Sequence, residues 1–156
     1  MMSDGIHPDE VTMAAFISAC AHLGALDLGR EIHLYILQNG FDLDVYIGST
    51  LIDMYAECGS LDKSLSVFFK LLEKNLFCWN SAIDELVAQR YADEALKMFS
   101  RMERKKIKPN GITFISVLSA CTHARLVEEG RRMFLSMTND YSISPEVGHH
   151  GCMVDL

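Results

Sequence analysis

Ser18-Ala19-Cys20-Ala21-His22 returns as Ser119-Ala120-Cys121-Thr122-His123, and this recurrence decides the fold. The same shift of 101 residues carries Thr12 onto Thr113 and Gly29-Arg30 onto Gly130-Arg131 without a gap. So many coincidences in one register are not expected by chance, so the chain is built from repeats. A shift of 35 lays Ile17, Gly24, Leu26 and Asp27 on Ile52, Gly59, Leu61 and Asp62. A further shift of 31 lays Ile52, Asp62, Leu65 and Phe68 on Ile83, Asp93, Leu96 and Phe99. The units are therefore 10–44, 45–75, 76–110 and 111–146, with the tail of a unit at 1–9 and the opening of another at 147–156.

Within a unit the apolar residues recur at helical spacing, strand alternation is never sustained, and prolines stand only at 8, 109 and 145. That pattern predicts an all-α chain. Each unit reads as two helices: 11–22 and 26–39, 46–57 and 61–74, 77–88 and 92–105, 112–123 and 126–139. Gly24 and Gly59 stand where the first helix must end and reverse; Arg90 and Arg125 hold the equivalent places with a weaker turn signal. A hairpin this short cannot bury its apolar face alone, so the expected architecture is a right-handed α-solenoid of stacked hairpins. Residues 147–156 read as half of a first helix without a partner, which predicts an exposed apolar end and self-association.

Composition bounds the function. The 156 residues carry 14 Lys+Arg against 21 Asp+Glu, a formal charge of −7, and 49% apolar residues, which excludes disorder as the default. No run of apolar residues is long enough to span a membrane. The opening Met1–Pro8 resembles neither a secretory signal nor a transit peptide. The five cysteines lie far apart with no Cys-x-x-Cys, which argues against a zinc knuckle, a redox pair or a disulfide framework and for a reducing compartment. His149-His150-Gly151-Cys152 lacks a fourth metal ligand, and no phosphate loop or nucleophile–base set stands out. No catalytic residue, metal site or cofactor is expected, and the chain reads as a binding protein rather than an enzyme.

Leu118-Ser119-Ala120-Cys121-Thr122-His123 with Glu128-Glu129-Gly130-Arg131, and Ile17–His22 with Leu28-Gly29-Arg30, resemble the long type of pentatricopeptide repeat. Leu51–Gly59 resembles the short type. Cys78-Trp79-Asn80-Ser81 with Asp93-Glu94-Ala95-Leu96 and Lys108-Pro109-Asn110 resembles the standard type, and His149 with Gly151–Leu156 the start of another short repeat. The units 10–44, 45–75, 76–110 and 111–146 are then long, short, standard and long. Resemblance to this plant family implies a single-stranded RNA partner, organelle RNA-processing proteins as further partners, a mitochondrial or chloroplast location, and a role in RNA processing, commonly C-to-U editing. In such proteins a C-terminal extension or zinc deaminase domain follows the repeats.

The same resemblance implies which residues meet RNA, one base per repeat. The base clamps would be Val11, Tyr46, Phe77 and Ile112, for which packing in the core is an equal alternative on sequence alone. The paired reading positions would be Ala14 with Asp44, Ser49 with Asn75, Asn80 with Asn110, and Ile115 with Glu146. By the family's usual pairing, Ser49/Asn75 implies adenine and Asn80/Asn110 a pyrimidine, whereas Ala14 and Ile115 cannot hydrogen-bond a base. Asp9, Asp44, Asn75 and Asn110 also stand where helix N-caps belong, so capping competes with base contact for them. The expected first helices contain no Lys or Arg; the basic residues gather at 101–108 and at Arg131-Arg132. Phosphate contact is therefore expected to be weak and shallow in its salt dependence. The competing reading is a tetratricopeptide-like protein scaffold, which shares Ala95-x-x-x-Phe99 and Pro109; the 31- and 35-residue steps and the Asn or Asp closing successive units favour RNA.

Overall fold

The computed structural model describes residues 8–156. Among them the regular elements are all helices: α1 Glu10–Leu23, α2 Leu26–Gln38, α3 Val45–Glu57, α4 Leu61–Lys70, α5 Leu76–Ala88, α6 Ala92–Arg104, α7 Gly111–Ala124, α8 Val127–Asn139 and α9 Val147–Val154. Pairs α1/α2, α3/α4, α5/α6 and α7/α8 fall on the four expected hairpins. The chain divides into two compact units, Met1–Cys78 and Trp79–Leu156. No helix of the described residues is long and apolar enough to cross a membrane.

Helices α1, α3, α5 and α7, the first helices of the four hairpins, each start on a side-chain cap. Asp9 Oδ1 accepts the Thr12 N–H at 2.8 Å, Asp44 Oδ1 that of Ile47 at 2.9 Å, Asn75 Oδ1 that of Cys78 at 3.0 Å and Asn110 Oδ1 that of Thr113 at 3.1 Å. Each satisfies one of the backbone donors that a helix start leaves without a partner. The first helices also end alike. Gly24, Gly59, Arg90 and Arg125 are all left-handed, with φ of 63°, 71°, 67° and 56°. The next N–H reaches back five residues in every case: Ala25 to Cys20 O, Ser60 to Tyr55 O, Tyr91 to Leu86 O and Leu126 to Cys121 O. This is the Schellman closure that glycine favours. The two arginines adopt it because the hairpin demands it, at the steric cost a Cβ meets there. Arg90→Gly and Arg125→Gly are each expected to stabilise the chain by about 0.5–1 kcal/mol, read as a higher urea midpoint.

In the first unit α1 packs on α3 and both pack on their second helices. Met13, Ile17, Ile47, Leu51 and Ile52 are fully buried between them. Gly29 lets α3 approach α2: a Cβ there would lie 2.5 Å from Met54 Sδ. Helix α4 stops at Lys70, four residues short of the expected 74. Leu71 turns extended and is buried beside Gly48, where a Cβ would overlap both its methyls. In a 31-residue unit those four residues are needed to return the chain to α5, so the helix cannot use them.

In the second unit α7 packs on α6, α8 and α9. Its centre is aromatic: Phe114 meets Phe99 edge-on at 5.5 Å and Tyr141 tilted at 5.5 Å. The expectation that 147–156 has no packing partner is corrected here. Helix α9 sits on α7 and α8, Leu156 lies where a Cβ on Gly130 would overlap it, and His149 is buried. Val147 and Val154 on its other side remain exposed.

Candidate nucleic-acid interface

The four clamp positions, Val11, Tyr46, Phe77 and Ile112, are exposed, at 65%, 52%, 50% and 57%. Each is the second residue of its first helix, where the following apolar residues Met13, Ile47, Cys78 and Phe114 turn inward instead. Core packing, the alternative left open by the sequence, does not account for them. Large apolar side chains held in water at one recurring helical position are a surface suited to a flat, apolar partner.

The reading positions divide sharply. Ala14 is buried and Asp44 spends Oδ1 on its cap. Ser49 is half-buried and donates its hydroxyl to Tyr46 O at 3.1 Å, a bond within its own helix. Asn75 is exposed and caps α5 through Oδ1. Ile115 is half-buried, packed where a Cβ on Gly148 would touch it at 3.1 Å. Glu146, exposed, opens α9, with its N–H received by His149 Nδ1 at 2.9 Å.

Asn80 and Asn110 meet directly, both in the second unit. Asn80 Nδ2 donates to Asn110 Oδ1 at 3.2 Å. A third residue, which the sequence reading did not single out for this role, joins them: the Thr113 hydroxyl donates to Asn80 Oδ1 at 2.6 Å and receives the Asn110 N–H at 3.1 Å. Thr113 is fully buried and Asn80 keeps 8% exposure. The signal was present as Asn110-x-x-Thr113, a pair with the spacing of a capping box. One helical turn further along, the Ser116 hydroxyl donates to Asp84. Burial holds the Asp84 carboxyl above the usual range against the opposing effect of that bond. Asp53, in the first unit, is raised by burial and then by the charge of Glu57.

No first helix carries Lys or Arg. Residues 79–156 hold ten acidic and ten basic side chains, so the whole surplus of −7 lies in residues 1–78. Arg101, Arg104, Lys105, Lys106 and Lys108 are all exposed on the end of α6 and the connector into Asn110. Of the histidines, His149 spends both ring nitrogens on backbone: Nδ1 accepts from Glu146, so Nε2 carries the proton and donates to Gly111 O at 2.8 Å. Nothing on that ring is left for a metal. His22 bonds Ser18 O at 2.7 Å within its own helix. Burial, then Lys70 and Lys63, hold His33 below its usual range, and its Nδ1 shares a hydrogen bond with the Tyr55 hydroxyl at 2.8 Å. The Cys121 thiol is pushed up to about 11 by burial, a packing residue rather than a nucleophile.

Residues 74–123 match the PPR repeat family, and residues 49–76 and 112–141 match the PPR repeat. A pentatricopeptide repeat-containing protein of Arabidopsis thaliana is 63% identical over all 156 residues, which are 27% of its length; another is 44% identical over 155 residues, 26% of its length. The chain thus spans about a quarter of the curated relatives it matches. Among solved structures, maize PPR10 superposes with a TM-score of 0.84 at 20% identity, over 97% of this chain and 22% of that one. The PPR domain of Arabidopsis thaliana protein-only RNase P 1, solved with tRNA, gives 0.77 at 15% identity, over 93% and 78%. These likenesses fix the fold as a right-handed α-solenoid of helix-turn-helix repeats.

Proposed function

The chain belongs to the pentatricopeptide repeat family, and from that premise we propose that it binds single-stranded RNA, one base per repeat, as part of an organelle RNA-processing factor of mitochondria or chloroplasts, with C-to-U editing as the process it serves. The observation that carries the reading is the direct contact of Asn80 with Asn110 within the second unit. Exposed apolar faces at Val11, Tyr46, Phe77 and Ile112 suit stacking on bases, which is tolerant of sequence. Carboxamides and hydroxyls supply the discrimination, because they offer donors and acceptors to a base edge. Ser49 with Asn75 then reads adenine and Asn80 with Asn110 a pyrimidine, while the units opening on Ala14 and Ile115 stay silent. Maize PPR10 bound to an 18-nt psaJ RNA element, of which this chain matches 23% at a TM-score of 0.81, supports the same partner class.

The test is a titration of the full chain at low salt with short RNAs that differ at a single base. A pyrimidine at the Asn80/Asn110 position is expected to bind about tenfold better than guanine, the worth of one well-placed hydrogen bond. Asn80→Ala should erase that ratio while leaving most of the nonspecific affinity. Equal binding of all four bases by the native chain would remove the base-reading claim.

A further inference from the structure

We infer that Thr113 is a positioning residue for base choice: its buried hydroxyl fixes which end of the Asn80 carboxamide is offered to RNA. The inference rests on the proposed reading by Asn80 and Asn110 and names what sets its outcome.

The orientation follows from the helix cap outward. Asn110 must point Oδ1 at the Thr113 N–H, because that bond starts α7. Asn80 approaches the same oxygen, and two oxygens would repel, so its Nδ2 faces Asn110 and its Oδ1 faces Thr113. The Thr113 hydroxyl already receives the Asn110 N–H, so its single proton is free to go to Asn80 Oδ1, its nearest acceptor at 2.6 Å. Asn110 Oδ1 is then filled by the Thr113 N–H and one Asn80 N–H. What the pair has left over is the second Asn80 N–H and the Asn110 amide, a surface of donors.

Donors select acceptors. Cytosine and uracil share an O2 keto oxygen on the pairing edge; at the equivalent place adenine has a C–H and guanine an amino donor. A donor surface therefore favours a pyrimidine and opposes guanine. Among the described residues no other unit shows this lock. The residue in the place of Thr113 is Ile47 after Ala14, Cys78 after Ser49 and His149 after Ile115, and none of the three is recorded in a side-chain bond to the preceding reading residue.

Thr113→Val keeps the shape and removes the hydroxyl. The Asn80 oxygen is then buried without a partner, which is costly, and the carboxamide is expected to turn that oxygen toward the opening. The measurement is base preference of the full chain on RNAs with C, U, A or G at the one position. The pyrimidine-over-guanine ratio should fall about tenfold in Thr113→Val and recover in Thr113→Ser. A ratio unchanged in Thr113→Val, with Asn80→Ala having lost it, overturns the role of Thr113 and leaves the base reading standing. A ratio unchanged in both overturns the base reading itself. Should Thr113→Val fail to fold, side-chain amide NMR of the native chain decides: one Asn80 amide proton is expected to be protected from exchange and the other to shift when pyrimidine RNA is added. Two freely exchanging protons would overturn the inference.

Discussion

Phe114→Ala is expected to destabilise the second unit by about 3–5 kcal/mol. The ring is fully buried and joins Phe99 of α6 to Tyr141 beyond α8. Its loss removes the transfer energy of an aromatic side chain and leaves a cavity whose walls come from three different segments, which cannot collapse together. Urea unfolding followed by circular dichroism measures it. Leu72, 99% exposed, is the control: Leu72→Ala should change stability by less than about 0.5 kcal/mol. A Phe114→Ala cost below about 1 kcal/mol would mean that the aromatic cluster is not the centre of this unit.

The second large effect is expected at Gly48. Its missing Cβ makes the seat for Leu71, which is 3% exposed at the point where α4 breaks off. Gly48→Val puts branched carbon where the Leu71 methyls lie. Either Leu71 leaves the core or α3 moves from α4, and overpacking of this kind costs about 2–3 kcal/mol. Gly29→Ala, on the same scale of overlap, is expected to cost less because its neighbour is the flexible end of Met54. A comparison of the two variants by the same unfolding curves checks the ranking.

Much of this fold could be read before any coordinates. Internal repetition placed the hairpins because each repeat must present the same apolar positions to its neighbours, and caps at Asp9, Asp44, Asn75 and Asn110 marked the starts. The end of α4 escaped because Leu71–Lys74 continue a helical pattern. Only the seat at Gly48, a contact between residues 23 apart, shows why the chain leaves the helix there. The packing of α9 escaped for a similar reason, since the small residues that admit it, Gly130 and Gly148, carry no helical signal of their own. In the site, the outward position of Val11, Tyr46, Phe77 and Ile112 was undecidable because one apolar residue in four looks alike whether it faces core or water. Thr113 was missed because its role depends on meeting Asn80 from 33 residues earlier in the chain.

Under the proposed reading Asn110 divides one carboxamide between two tasks: its oxygen starts a helix, and its nitrogen would meet the ligand. Variation at such a boundary is confined to side chains able to begin α-helix, and Asp and Asn fill four of the boundaries seen here. The repertoire of targets open to an array like this is limited by the grammar of its own folding before any nucleotide is consulted. Redesign for a new target would then go further by altering the partner three positions inside the next helix than by altering the boundary residue itself.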